Sequence, residues 1–213
     1  MSKNKTTKFA ELKTFRNAFE DPEQFRAEFL TPYLQRDQSV TLEVACGRGE
    51  YTLELARRSP QKLHVGIDLK GARIWAPAKQ ALTEGLENVA FIKGNVDTLP
   101  FCFQQGEVDE IWITYPDPYP KPSKSNKRLV APRFLAIYRQ ILSEKHQIHF
   151  KTDHQGLFEF GVESVASSGG TILTRLDDVY AATGLPPEVS ISTTFEGRHL
   201  ADGRTIRYLR FHL

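Results

Sequence analysis

The sequence predicts a doubly wound α/β fold, with a mostly parallel sheet and one antiparallel edge strand. Three observations carry this prediction. Between residues 40 and 167, short apolar runs alternate with segments of helical periodicity, the pattern of strand–helix–strand units whose sheet is covered on both faces. The first run passes directly into Gly47-Arg48-Gly49, a glycine turn that lets the chain reverse sharply from strand into helix. The last two strand-like runs, 171–176 and 205–211, bracket an irregular segment without a helix, which favours antiparallel pairing at one edge.

The elements follow in order. Asp21-Pro22 places an N-cap residue before a proline at the first helical position, and Phe25, Phe29 and Leu30 continue at helical spacing to about Leu34. Val40, Leu42 and Val44 alternate as a strand, and Tyr51, Leu53, Leu55 and Ala56 suit a helix that stops before Pro60. A second strand, Leu63 to Ile67, ends at Asp68, and a helix fits Gly71 to Glu84, bent or split by Pro77. Val89 to Ile92 is a third strand ending at Gly94-Asn95, and Val108 to Thr114 is a fourth. The stretch Tyr115-Pro116-Asp117-Pro118-Tyr119-Pro120 can neither continue a helix nor sit in a central strand, so it forms a rigid loop. A helix around Phe134 to Leu142, a strand from Gln147 to Lys151 and a helix from about Gln155 to Ser167 complete the alternation.

The 213 residues fit a single domain, read as a flexible basic segment at 1–20 followed by one domain at 21–213. Hydrophobic residues at 40% and charged residues at 25% argue against disorder. No apolar run approaches the roughly 20 residues of a membrane helix. The lysine-rich start is not followed by the apolar stretch of a secretory signal. Cys46 and Cys102 have no metal-ligand spacing around them and suit a reducing, cytoplasmic setting, and no metal site is expected. Net charge is only +2, but the basic residues cluster: Lys121, Lys124, Lys127, Arg128 and Arg133 follow one another with no acid between them. Such clusters fit local contact with a polyanion, or a solvated face.

Ligands of this fold bind at the carboxyl ends of the strands. Gly47 and Gly49 allow close backbone approach there. Asp68 is placed to accept from ribose hydroxyls, or to cap a helix. Asn95 is placed to meet an adenine edge. Thr52 stands where a dinucleotide fingerprint wants its third glycine, which argues against a hydride-transfer enzyme. Glu43 lies in an otherwise apolar strand, where a carboxylate needs a cationic ligand, an amine or a buried salt bridge.

The loop Thr114-Tyr-Pro-Asp117-Pro-Tyr119-Pro-Lys121, the following Asn126-Lys-Arg128-Leu, and the later His149-Phe-Lys-Thr-Asp153, Thr193-Thr-Phe-Glu196 and Gly203-Arg-Thr-Ile-Arg-Tyr-Leu resemble the tRNA (guanine-N7)-methyltransferases of bacterial single-subunit type. The resemblance runs from about residue 40 to the end and is weak before residue 38. It implies the Rossmann-like, seven-stranded sheet of class I S-adenosylmethionine-dependent methyltransferases, with S-adenosylmethionine as cofactor. It also implies a guanine in the variable loop of tRNA as target. Glu43, Asp68, Asn95 and Asp117 fall on the family's cofactor positions. Lys121, Asp153, Thr193 and Glu196 fall on its substrate positions, and Asp117 also on its catalytic one. Asn95 stands where the family more often has aspartate, and Tyr119 replaces its usual tryptophan.

Guanine N7 carries an in-plane lone pair and no proton, so this chemistry asks for alignment and charge stabilisation rather than a general base. Asp117, with Asp153 or Glu196, is placed to meet the base; alternatively Asp117 caps a turn. Tyr115 and Tyr119 can stack on a flipped base, or pack the loop to the body. Lys124, Lys127 and Arg128 fit RNA backbone contacts, and Arg198, Arg204 and Arg207 extend that track. A small-molecule methyltransferase and a non-catalytic RNA-binding module on the same fold are the alternatives. The partner expected is tRNA, without membrane or metal, and both monomer and homodimer are compatible with the sequence.

Overall fold

The computed structural model describes residues 5–36 and 38–213, so the first four residues of the 1–20 segment lie outside the described residues. Its strands are β1 (Ala18–Phe19), β2 (Val40–Val44), β3 (Leu63–Asp68), β4 (Val89–Lys93), β5 (Val108–Thr114), β6 (Leu142–Thr152), β7 (Thr171–Leu176) and β8 (Arg207–His212). They form one sheet in the order β1-β4-β3-β2-β5-β6-β8-β7. Every pairing from β1 to β6 is parallel. β2 and β3 are buried along their whole length, as strands covered on both faces must be, and hence read as near-continuous apolar runs.

Two details differ from the expected sheet. β8 is antiparallel to both β6 and β7, so the antiparallel strand lies one in from the edge and β7 forms the edge itself. Exposure alternates along β7, whereas β8 is largely buried, because β8 has a neighbour on each side. The eighth strand is β1, whose two residues pair with Phe91 and Ile92 of β4; two residues are too few to show a period.

Within the basic segment 1–20, part of the chain packs on the body. Lys5–Leu12 is a helix with Leu12 only 2% exposed. Glu11 accepts from Trp75 Nε1 at 3.0 Å and meets Lys79 Nζ at 3.1 Å. The helix Gly71–Glu84 is continuous through Pro77 rather than split there. Pro77 is buried against Gly49: a Cβ on Gly49 would lie 2.8 Å from the Pro77 Cβ and 2.7 Å from the Phe91 ring. Packing this close offsets the backbone hydrogen bond that proline removes.

The late helices shift slightly. Pro132–Arg139 ends early enough for β6 to begin at Leu142, opposite Val108; the polar run 143–147 conceals that extension from the pattern. The irregular segment after β7 contains the helix Thr194–Ala201. The main core lies between the sheet and the helices Pro132–Arg139 and Gln155–Ser167, around Ile113, Phe134, Phe150 and Phe158.

One stretch of the opposite sheet face is polar. The register sets Glu43 beside Trp112, Trp112 beside His149, and Thr114 beside Lys151. Its cover includes irregular chain around residues 188–191, whose carbonyls need donors. Tyr51 donates its hydroxyl proton to the Glu188 carbonyl, and Lys151 Nζ donates to those of Val189 (2.9 Å) and Ile191 (3.1 Å). Among the described residues, no helix is long and apolar enough to cross a membrane.

Candidate active site

The turn after β2 builds one wall of a cleft of about 480 Å³, lined by Glu43, Gly47, Arg73, Thr114, Tyr115 and Asp117, among others, and closed on the far side by Thr193, Phe195 and Arg198. Ala45, Gly47 and Gly49 all take positive φ, at 56°, 57° and 61°. Gly47 has only the Ala45 carbonyl, 3.9 Å away, near the place a Cβ would occupy, so this part of the turn leaves room for a ligand. Gly49 is packed under Phe91 and Pro77.

Glu43 is 2% exposed. Its Oε2 accepts from the Thr52 backbone N–H at 2.9 Å and from the Thr52 hydroxyl, and its Oε1 accepts from Thr114 Oγ1 at 2.7 Å. The Thr52 that breaks a dinucleotide fingerprint therefore holds the carboxylate in place. No cation of the described residues pairs with Glu43, and burial pushes its carboxyl up to about 7. Of the readings open to this residue, the internal salt bridge is absent, and the site suits a cationic ligand.

Asp68 and Asn95 do not join this cleft wall. Asp68 is buried: Oδ2 accepts from the Gly47 N–H at 3.0 Å and Oδ1 from the Lys70 N–H at 2.7 Å, so it fixes the turn while keeping free lone pairs. Arg73 stands 3.7 Å from it. Asn95 is exposed just past β4, and its side chain makes no capping bond.

Asp117 is exposed at the cleft between two prolines. No described N–H donates to it, so it caps no turn. The surrounding loop is strained and clamped. Tyr115 and Tyr119 have φ of 47° and 39°, conformations that cost non-glycine residues of order 1–3 kcal/mol each. Arg128 Nε donates to the Pro118 carbonyl at 3.1 Å, its NH2 group donates to the Tyr119 carbonyl at 3.1 Å, and its guanidinium lies 4.4 Å from the Phe160 ring centroid. Arg128 thereby clamps the loop, beside its expected place on an RNA backbone. Lys121 precedes the turn Pro122–Lys127, which carries Lys124 and Lys127; all three are exposed and have no acidic partner among the described residues.

The expected base-reading carboxylates are also engaged elsewhere. Glu196 is fully buried and receives two hydrogen bonds of 2.9 Å from Lys151 Nζ, itself fully buried, and one of 2.9 Å from the Tyr180 hydroxyl. Asp153 Oδ2 accepts from Arg204 NH1 at 2.8 Å and lies 3.0 Å from His199 Nδ1. Arg207 donates to the Asp153 carbonyl at 3.2 Å. Arg204 and Arg207 are thus tied to the body, whereas Arg198 faces the cleft without an acidic partner among the described residues. Thr193 lines the cleft and caps the helix Thr194–Ala201, its Oγ1 accepting from the Glu196 N–H at 3.1 Å. Among the described residues, no group of three His, Cys, Asp or Glu side chains is placed to hold a metal ion.

Residues 37–209 match the family model described as "Putative methyltransferase". The tRNA (guanine-N(7)-)-methyltransferase of Christiangramia forsetii is 37% identical, over 100% of this chain and 99% of its own. That of Porphyromonas gingivalis is 42% identical over 88% of this chain and 77% of its own. The chain belongs to the tRNA (guanine-N7)-methyltransferase family. Solved structures place the fold among methyltransferases. The 16S rRNA methyltransferase KamB superposes with a TM-score of 0.67 at 17% identity, covering 88% of this chain and 93% of that one. A 16S rRNA (adenine(1408)-N(1))-methyltransferase from Catenulisporales acidiphilia, solved with S-adenosylmethionine, gives 0.63 at 17% identity over 90% and 91%.

For a member of this methyltransferase family the donor set fits S-adenosylmethionine, its cofactor. Glu43 offers a buried carboxylate to a cation, and Gly47 leaves its backbone accessible. Among cleft residues, sequence reasoning missed Arg73 and Phe195. Phe195 lay inside the quoted Thr193–Glu196 motif, and its aromatic type was the available signal.

Proposed function

We propose that this protein transfers the methyl group of S-adenosylmethionine to N7 of a guanine in the variable loop of tRNA, in the cytoplasm. The observation that carries this reading is Asp117, a free carboxylate on a proline-rigid loop at the cleft, followed at once by three exposed lysines. S-adenosylmethionine, when bound, supplies a methyl group activated by attachment to a sulfonium. Glu43 contributes the negative charge that holds a cationic ligand beside the turn. Asp117 accepts from the N1–H and N2–H₂ edge of guanine, and its charge opposes the positive charge that the purine acquires as N7 is methylated. Because N7 carries no proton, no residue has to remove one before attack. Lys121, Lys124 and Lys127 neutralise phosphates, a use that a small-molecule acceptor does not have.

The direct test incubates the protein with methyl-labelled S-adenosylmethionine and an unmodified tRNA transcript, followed by nucleoside analysis. Label in 7-methylguanosine establishes reaction and base together; its absence, with cofactor binding intact, turns the search to small acceptors.

Two further outcomes follow from the site. Lys127→Ala weakens tRNA binding while kcat at saturating tRNA stays near wild type, and the slope of log affinity against log salt falls by about 1. Titrations at several salt concentrations measure that slope. Glu43, with its carboxyl near 7, is mostly protonated at pH 6 and mostly ionised at pH 8. Binding of a cationic ligand selects the ionised form, so affinity for S-adenosylmethionine rises about 5- to 10-fold across that interval. Calorimetry at both pH values checks the rise, and Glu43→Gln flattens it.

A further inference from the structure

A large apolar side chain stands open to solvent inside the cleft. Among the described residues, Leu69, Phe101, Leu173, Tyr180 and Phe195 are the exposed large hydrophobics, and of these Phe195 lines the cleft. The residue is 48% exposed. His199 packs beside it at 4.0 Å between centroids and Tyr115 at 5.6 Å, tilted by 59°, which leaves part of the ring uncovered.

The backbone that presents this ring is pinned on three sides. Thr193 caps its helix, the Glu50 carboxylate accepts from the Thr194 N–H, and Glu196 is locked to Lys151. A backbone held this firmly need not be ordered when a ligand covers the ring, which favours binding. The surface it offers is flat, apolar and about the width of a base, on the same cleft as Asp117.

We propose that Phe195 is the surface on which the target guanine stacks while Asp117 reads its edge. This rests on the tRNA reading above and extends it to a residue with no assigned role. Stacking on an aromatic face is indifferent to base identity, so Phe195 supplies position and Asp117 supplies selection. The sheet order separates this surface from Asp68 and Asn95, the residues expected to meet the adenosine of the cofactor. Asp68 and Asn95 follow β3 and β4, on one side of β2, whereas Tyr115 follows β5 on the other. Phe195 packs on Tyr115, and neither Asp68 nor Asn95 lines its cleft.

Phe195→Leu keeps an apolar side chain and removes the aromatic face, whereas Phe195→Tyr keeps the ring. Steady-state methylation of a tRNA transcript and calorimetric titration with S-adenosylmethionine are measured for both. The expected result is a loss of about 10- to 100-fold in kcat/KM for tRNA in Phe195→Leu, near-complete retention in Phe195→Tyr, and cofactor affinity within about twofold of wild type in each. Activity of Phe195→Leu within about twofold of wild type overturns the proposal. So does a fall in cofactor affinity that matches the loss of activity, which assigns the ring to the cofactor, and so does equal damage from tyrosine. If the unsubstituted protein forms no 7-methylguanosine on tRNA, the underlying reading fails, and that result is seen before any variant is compared.

Discussion

Replacing Asp117 by alanine lowers kcat at saturating tRNA by about 100- to 1,000-fold, the usual cost of removing one group that stabilises transition-state charge. The substitution is clean because Asp117 is exposed and accepts no hydrogen bond from the described chain, so Tm stays within about two degrees of wild type. The two roles that the family resemblance gives this position separate in the same experiment. Calorimetric titration with S-adenosylmethionine reports the cofactor role alone. A fall in kcat with cofactor affinity retained assigns Asp117 to the base, and parallel losses assign it to the cofactor. Asp117→Asn refines the answer, since it keeps an acceptor oxygen and removes the charge. Recovery by asparagine points to hydrogen bonding, and failure to recover points to charge. Turnover near wild type in the alanine variant removes Asp117 from the mechanism.

The strands up to β5 and the turn and loop beside the cleft were legible because their signals are local. Val40, Leu42 and Val44 announce a buried strand, Gly47 and Gly49 the turn after it, and the prolines around Asp117 a loop that cannot move far. Each sits within a few residues of the feature it specifies. The β8 placement was not legible in the same way, since which neighbour an antiparallel strand chooses depends on where the chain returns after some thirty residues. The N-terminal helix was hidden by its lysines. Only Phe9 and Leu12 mark its inner face, and Gly71, whose absent Cβ leaves space for the Phe9 ring, lies sixty residues away.

The same distinction explains the site residues. Glu43 was readable as a carboxylate out of place in an apolar strand, and the structure supplies the missing fact that nothing cationic in the described chain meets it. Arg128 and Glu196 carry charges that a sequence reader assigns to a substrate by default. Their partners, the carbonyls of Pro118 and Tyr119 and the ammonium of Lys151, become visible only when distant segments are brought together. A charged residue beside an active site thus has two possible duties, touching the ligand or holding the wall that does. Lys121 and Asp117 are exposed and open to a ligand, whereas Lys151 and Glu196 are buried against each other.

Lys151 and Glu196 therefore give the second large effect, and it is on stability before it is on chemistry. Burial lowers the Lys151 pKa while Glu196 beside it opposes that shift. Lys151→Met leaves a buried carboxylate without its cation and the Val189 and Ile191 carbonyls without their donor. Breaking a buried pair in this way costs about 3–5 kcal/mol, which for a chain of this length lowers Tm by about 6–20 °C. Glu196→Gln strands the ammonium instead and falls in the same direction. Replacing both partners by apolar residues, as in Lys151→Met with Glu196→Leu, removes both buried charges together and recovers part of the lost stability. It does not restore the donor to Val189 and Ile191, so KM for tRNA stays raised because the wall carrying Thr193 and Phe195 is no longer fixed. Thermal melts and tRNA saturation curves on the two single variants and the double variant test this. A Glu196→Gln protein that melts like wild type but has lost kcat shows instead that Glu196 reaches the base directly.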